Sequence, residues 1–241
     1  MSFLDIWNNG IFALWGSDKS IWILIAGWVI CAVFSYLIGS LNFGCFISIY
    51  KFKDDVRNHG SGNAGATNVL RTYGKKAALC TYLGDGLKAA VAIVIGHLLG
   101  GFTGAYIAGL FTVIGHMWPV FFGFKGGKGV ATASVMMLCL NPLIFLILLA
   151  IFALIVCTTK YVSLGSIICV MLYPLLLFKM QNPEVMGGGG QYVIIALIVA
   201  VLVVFKHRKN ISNLMSGTEN KLSLSFKKKS KVNNKEKSED K

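Results

Sequence analysis

Apolar residues fall along this chain in long unbroken runs, not in the alternating or one-sided patterns of water-facing elements. The runs Ile21–Ile38, Val130–Cys157 and Tyr192–Phe205 contain no Asp, Glu, Lys or Arg. Runs of roughly 20 apolar residues are long enough to cross a bilayer as helices. Cutting the chain at its polar interruptions leaves seven apolar segments, near residues 21–49, 77–99, 102–122, 130–140, 142–157, 161–179 and 191–206. The pattern predicts an all-α polytopic membrane protein with about seven transmembrane helices. Residues 1–20 read as a polar N-terminal segment and residues 21–221 as the transmembrane domain. Residues 222–241, rich in lysine and serine with no apolar period, read as a basic, disordered cytoplasmic tail.

One cut rests on a single dipeptide. Proline disfavours helix at the residue before it, so Asn141-Pro142 divides Val130–Cys157 into two helices. Both halves, 130–140 and 142–157, are then expected to be short. Eleven residues reach only about 16 Å at 1.5 Å each, against a hydrocarbon core of about 30 Å.

Charge orients the spans. Basic residues collect in the loop Tyr50–Lys76, in Gly123–Gly129, at Lys160 and in Lys206–Lys241, the last holding 11 basic and 4 acidic residues. The intervening turns hold almost no Lys or Arg. The positive-inside bias therefore predicts the N-terminus outside and the C-terminus in the cytoplasm. The net charge of +13 on a chain 55% hydrophobic and only 14% charged points to anionic membrane lipid as a partner. It does not point to nucleic acid, for no basic patch carries interleaved aromatics. No cleavable leader is expected, because no basic region precedes the first long apolar run. The six cysteines lie in apolar stretches without a C-x-x-C pair, and read as small buried hydrophobes.

The unusual polar chemistry sits on the predicted cytoplasmic side. His59-Gly-Ser61-Gly-Asn63-Ala-Gly-Ala-Thr67-Asn68-Val-Leu-Arg71 contains G-x-G-x-x-G, but no strand precedes it, so it is not a dinucleotide fingerprint. It is a small-residue loop whose backbone can approach an anion, with Ser61, Asn63, Thr67 and Asn68 adding hydrogen bonds. Arg71 adds a bidentate partner for phosphate. Lys125-Gly126-Gly127-Lys128-Gly129 is not a Walker A loop, yet its glycines and two lysines suit phosphate. Ser163 and Ser166 share one helix face at the start of a span, and His207 and Asn210 do so just after the last one. Asp85 and Lys88, three apart inside a span, read as an internal ion pair that shapes the site.

Several chemistries have no signature here. There is no G-x-S-x-G elbow, no H-E-x-x-H, no histidine with an acid five positions on, and no carboxylate cluster. The polar set is rich in donors and cations. It reads as an anion site without a metal, and no cofactor is expected.

Gly60-Ser-Gly-Asn-Ala-Gly-Ala-Thr-Asn-Val-Leu-Arg71 is followed in order by Gly115-His116 through Pro119-Val-Phe-Phe-Gly-Phe-Lys-Gly-Gly-Lys-Gly-Val-Ala-Thr132. Then come Tyr161-Val-Ser-Leu-Gly-Ser166, His207-Arg-Lys-Asn-Ile211 and Gly217-Thr-Glu219. Together these resemble the bacterial acyl-phosphate:glycerol-3-phosphate acyltransferase family from about Ile21 to Lys221. The resemblance implies a seven-span cell-membrane enzyme with a cytoplasmic site. It implies transfer of a fatty acyl group from acyl phosphate to the 1-hydroxyl of sn-glycerol 3-phosphate, giving lysophosphatidic acid and phosphate. A partner enzyme would make the acyl phosphate from acyl-carrier protein.

The same resemblance places Ser61, Arg71, His207 and Asn210 in catalysis. Asn63, Thr67, Asn68, Lys125, Gly126, Gly127, Lys128, Gly129, Ser163, Ser166 and Glu219 would bind substrate. It leaves open which lysine and which serine is the main ligand, and whether His207 acts as a base. Trp118 stands where the family pattern leads one to expect Phe. The residues alone also admit a transporter or channel for an anionic metabolite, with intramembrane Asp85 and Lys88 on its path.

Overall fold

The computed structural model describes residues 6, 10–12, 21–180 and 190–222. The N-terminal segment lies largely outside that set, and the predicted disorder of the tail lies outside it from residue 223 on. Helices and turns make up the described residues. We number the helices α1 (Ile21–Gly39), α2 (Phe43–Phe52), α3 (Ala66–Tyr73), α4 (Lys75–Met117), α5 (Val130–Leu140), α6 (Pro142–Thr159), α7 (Val162–Met180), α8 (Gly190–Lys206) and α9 (Arg208–Met215).

By length and composition, four helical stretches among the described residues can cross a membrane, or five if α8 and α9 count as one bent span. Their outer faces keep large apolar side chains uncovered, such as Trp22, Leu143, Leu154, Leu175 and Ile194. In a water-soluble protein such a surface would be an aggregation hazard; here it is the face that meets lipid.

The first apolar segment is not one helix. It breaks at Ser40-Leu41-Asn42, where the Asn42 side chain caps α2 by accepting from Cys45 N at 3.0 Å. The long α4 is two helices. Gly100 and Gly101 leave helical geometry, Gly101 with φ +59°, and the chain folds back there. In a straight helix Lys88 and His116 would lie about 42 Å apart; instead Lys88 Nζ is 3.2 Å from His116 Nδ1. Gly96 and Gly104 meet across the turn so closely that a Cβ on either would strike the other's backbone, the small-residue packing that brings membrane helices together.

Asn141-Pro142 does break the next run. Pro142 starts α6, and Asn141 Oδ1 accepts from Tyr106 Oη at 3.0 Å and Tyr173 Oη at 2.8 Å. Only one of the two resulting helices is short, however. The 11 residues of α5 span about 16 Å, whereas α6 reaches Thr159 and, at 18 residues, is long enough to cross. The buried core lies among the second arm of α4, α5, α7 and α8, around Tyr106, Val113, Met117, Met136, Tyr173 and Val199.

Candidate functional site

Four polar segments far apart in sequence converge on one cavity of about 630 Å³. They are the loop into α3, the start of α5, the start of α7, and the α8–α9 junction with the segment after α9. Tyr82, Asp85 and His116 on the two arms of α4 add a further wall.

The loop into α3 is built around Asn68. Its side chain is buried; Oδ1 accepts from Ser61 N at 3.0 Å, and Nδ2 lies within 3.0 Å of the carbonyls of Val56, His59 and Asn63. An amide has two hydrogens, so Asn68 is fully used in shaping the loop. Gly60 (φ +56°) and Gly62 (φ +72°) take the left-handed turns that shape needs. Asn63 Oδ1 accepts from Gly65 N at 2.9 Å. Ser61, Thr67 and Arg71 are left to face the cavity, and Arg71 touches the protein only weakly, reaching Asn220 O at 3.4 Å.

The glycine-lysine turn behaves differently from the expectation. Lys128 lines the cavity, together with Val130 and Ala131 of the first turn of α5. Lys125, Gly126, Gly127 and Gly129 do not line it. Arg57, held by Asp55 at 2.7 Å, donates to the carbonyls of Phe122 and Lys125 and pins that side of the turn, leaving the Lys125 side chain exposed. Gly127 N donates to His116 O at 3.0 Å, and Gly126 sits against His116 and Pro119. Gly129 is the N-cap of α5 with φ +80°. These glycines let the turn pack down onto the end of α4; the positive end of α5 is what faces the cavity.

Opposite stand α7 and α9. Glu219, 9% exposed, accepts from Ser163 Oγ at 2.8 Å, Asn210 Nδ2 at 2.7 Å and Asn213 Nδ2 at 3.3 Å. The other end of the Asn210 amide receives Lys128 Nζ at 2.5 Å. Ser166 also lines the cavity, but its hydroxyl is tied to Val162 O at 2.9 Å. Leu222 N donates to Lys160 O at 2.7 Å, which holds the segment after α9 across the top of α7.

Burial lowers the Lys128 ammonium to about 8, partly offset by Glu219 and reinforced by Arg71 and Lys209. Burial likewise lowers His207 to about 4, so it is neutral at pH 7. Its Nδ1 lies 2.8 Å from Val203 O. A carbonyl only accepts, so the proton sits on Nδ1 and Nε2 is an acceptor. In this state His207 cannot clamp a phosphate as a cation, but it can accept a hydrogen bond from a hydroxyl.

Eleven of the fifteen sequence-picked residues therefore border one cavity: Ser61, Asn63, Thr67, Asn68, Arg71, Lys128, Ser163, Ser166, His207, Asn210 and Glu219. The sequence reading missed Tyr82, His116, Lys206, Arg208, Lys209, Asn213 and Asn220. For Asn213 a signal existed, since it continues the three-residue spacing of His207 and Asn210. Asp85 and Lys88 do form the expected buried ion pair, at 2.7 Å.

A second, apolar groove of about 140 Å³ lies against the polar cavity. It shares Tyr82, Val130, Phe152 and Ser166 with the polar cavity and runs on past Ala133, Met137, Leu148 and Val170. A cationic chamber beside an apolar slot suits a molecule with an anionic head and a hydrocarbon tail.

Comparison with known proteins fits this geometry. The model of the family described as glycerol-3-phosphate acyltransferase matches residues 29–217. The chain belongs to the glycerol-3-phosphate acyltransferase family. It is 47% identical over 194 residues to the glycerol-3-phosphate acyltransferase of Thermoanaerobacter pseudethanolicus, covering 80% of this chain and 95% of that one. It is 41% identical over 204 residues to the Clostridioides difficile enzyme, covering 82% and 97%. Among solved structures it resembles PlsY (YgiH), an integral membrane glycerol 3-phosphate acyltransferase. Against the glycerol 3-phosphate form of that protein the TM-score is 0.73 at 37% identity, over 81% of this chain and 96% of the other. Against its lysophosphatidic acid form the TM-score is 0.71 at 36% identity, over 82% and 96%. Membership makes this chain a multi-pass membrane acyltransferase of lipid biosynthesis and sets the transporter reading aside.

Proposed function

We propose that this protein transfers a fatty acyl group from an acyl phosphate to the 1-hydroxyl of sn-glycerol 3-phosphate, releasing 1-acyl-sn-glycerol 3-phosphate and inorganic phosphate. This is the first acylation step of phospholipid synthesis. The observation that carries the reading is that the two cavities adjoin: the cationic chamber and the apolar groove share Tyr82, Val130, Phe152 and Ser166 in their walls. A phosphate-bearing head and an acyl chain fit the two parts, and their junction is the place for the reacting carbonyl. The solved relatives described in glycerol 3-phosphate and lysophosphatidic acid forms support the acceptor and the product.

The chemistry asks little of a protein base. An acyl phosphate is a mixed anhydride with a good leaving group. The acceptor hydroxyl oxygen attacks the acyl carbon, the bond from that carbon to the phosphate oxygen breaks, and phosphate leaves with the electron pair. The hydroxyl proton goes to a phosphate oxygen. What remains for the enzyme is positioning and charge stabilisation. Arg71 and Lys128 hold the phosphates. Ser61 and Thr67 donate from the loop. His207 Nε2 accepts from the second hydroxyl of the glycerol backbone and orients the acceptor, which leaves the proton of the attacking hydroxyl to the phosphate. Glu219, Ser163 and Asn210 hold Lys128 in place.

In this reading the chain crosses the membrane seven times: α1, the two arms of α4, α5, α6, α7 and α8. The N-terminus is outside, and the chamber faces the cytoplasm, where an enzyme making acyl phosphate from acyl-carrier protein supplies the donor. The test is a donor comparison. Purified protein in detergent is given glycerol 3-phosphate with palmitoyl phosphate, palmitoyl-CoA or palmitoyl-acyl-carrier protein. Lysophosphatidic acid and phosphate are expected from the acyl phosphate alone. Product from the thioesters and none from acyl phosphate would overturn the donor assignment.

A further inference from the structure

His116 is fully buried where the two arms of α4 meet the glycine turn, and it was not among the residues picked from the sequence for the reaction. It borders the cavity, and Lys88 and Asp85 fix its ring. Lys88 Nζ lies 3.2 Å from its Nδ1, 2.7 Å from Asp85 Oδ1 and 2.7 Å from Leu41 O. Asp85 Oδ1 also receives Phe43 N at 3.3 Å. The main chain of His116 is held too, by Gly127 N at 3.0 Å. On the other edge of the ring, a Cβ at position 127 would overlap Nε2, so only glycine leaves that nitrogen room.

An ammonium has donors only. The ring nitrogen it faces is therefore an acceptor, and the proton sits on Nε2. Asp85 Oδ1 also lies 3.3 Å from Nδ1, but its nearer partner is Lys88. The result is a neutral imidazole with an N–H on Nε2. Among the described residues Nε2 has no hydrogen-bond partner. The cations of the chamber, Arg71 and Lys128, are suited to phosphate charge. A neutral, rigidly held donor is suited to an oxygen that gains charge only during reaction.

We propose that His116 Nε2–H donates a hydrogen bond to the carbonyl oxygen of the acyl phosphate and stabilises the oxyanion formed on attack, with Lys88 fixing the tautomer and Asp85 fixing Lys88. The inference rests on the acyl-transfer reading above and adds a residue to it.

Two amide substitutions separate a donor from a scaffold. In His116→Gln the amide NH2 falls near the position of Nε2. In His116→Asn the amide falls near Nδ1, where its oxygen can still accept from Lys88 but its NH2 cannot reach the substrate. His116→Phe keeps the ring shape and has no donor. Each variant is purified, its thermal melting is measured, and kcat and KM are determined with palmitoyl phosphate. The expected order of kcat is wild type, then Gln, then Asn and Phe, the last two lower than wild type by about 10²- to 10³-fold. KM for the acyl phosphate should move by no more than a few-fold. If Asn equals or exceeds Gln, or if Phe stays within three-fold of wild type, the proposal fails. Loss of melting in step with loss of activity across all three would assign His116 to the scaffold and equally overturn it. Inactivity of the wild type with acyl phosphate would instead defeat the acyl-transfer reading, so the two failures are distinct.

Discussion

Replacing Glu219 by Gln removes one negative charge from the chamber and the long bond that Oε2 accepts from Asn213 Nδ2 at 3.3 Å. The Gln oxygen still accepts from Ser163 and Asn210, as Oε1 does now at 2.8 and 2.7 Å. The charge matters because Lys128 is bridged to Glu219 by a single amide, that of Asn210, with contacts of 2.5 and 2.7 Å at its two ends. The two charges are then about 6 Å apart, and at an effective dielectric of about 20 they attract by about 3 kcal/mol. That corresponds to about two pH units in the ionisation of the lysine.

Lys128 starts from about 8, lowered by burial, with Glu219 acting in the opposite direction. A lysine whose ionisation is lowered carries its charge below that pH and loses it above. Removing the supporting carboxylate brings the loss to a lower pH, toward about 6. The value of kcat/KM for glycerol 3-phosphate reports ionisations of the free enzyme and free substrate. Its alkaline limb should thus fall near pH 8 in the wild type and well below that in the variant. The variant should lose about fifty-fold at pH 8 but only about two-fold at pH 6. Titration of the substrate phosphate cancels in the ratio of the two profiles. A profile of unchanged shape, lowered by one constant factor, would refute the coupling and leave Glu219 a purely structural residue.

Other substitutions probe the remaining parts. Arg71→Ala should abolish turnover yet leave membrane expression and melting unchanged, because its contact with the protein is a long one to Asn220 O; near-normal activity would remove Arg71 from the phosphate clamp. Lys88→Met strands the Asp85 carboxylate in a buried site and should cost about 3–5 kcal/mol of stability, most of it recovered when Asp85→Leu is added; melting curves of the single and double variants decide it. Ala133→Phe fills the apolar groove and should shift preference toward shorter acyl phosphates while KM for glycerol 3-phosphate holds. An unchanged chain-length profile would show that the chain lies elsewhere.

Local features of this fold could be read from local sequence. The fold-back at Gly100-Gly101 and the break at Asn141-Pro142 each depend on backbone chemistry carried by the residues themselves. Polar loops rich in glycine, serine and asparagine announced a chamber because they leave backbone and side-chain donors able to meet an anion. What was hidden depended on distance. The break at Ser40-Leu41-Asn42 lies in an apolar context, and its exposed backbone groups are satisfied by Asn42 itself and by Lys88 and Asp85, more than 40 residues on. The partnership of His116 with Lys88 exists only because the arms of α4 fold back on each other. Gly126 and Gly127 looked like a phosphate cradle by composition. Their packing against His116 and Pro119 shows that glycine can equally serve close approach of one chain segment to another. Asn68 was legible as a polar loop residue, but its use as a keystone inside the loop was not.

The brevity of α5 has a consequence for how the two reactants meet. A helix of about 16 Å covers roughly half the hydrocarbon thickness, so its first turn, beside Lys128, cannot ride at headgroup height on one side while its last turn reaches the opposite headgroups. In the seven-span reading this shortfall calls for a bilayer thinned beside α5 or for protein covering its end; where the thinning falls at Lys128, charge and water reach down to it. A tailed donor in the proposed reaction can then stay at its resting depth. Lifting it out would cost about 0.8 kcal/mol for every methylene drawn into water. In that arrangement the small, soluble alcohol is the reactant that travels, descending to a carbonyl held at lipid depth.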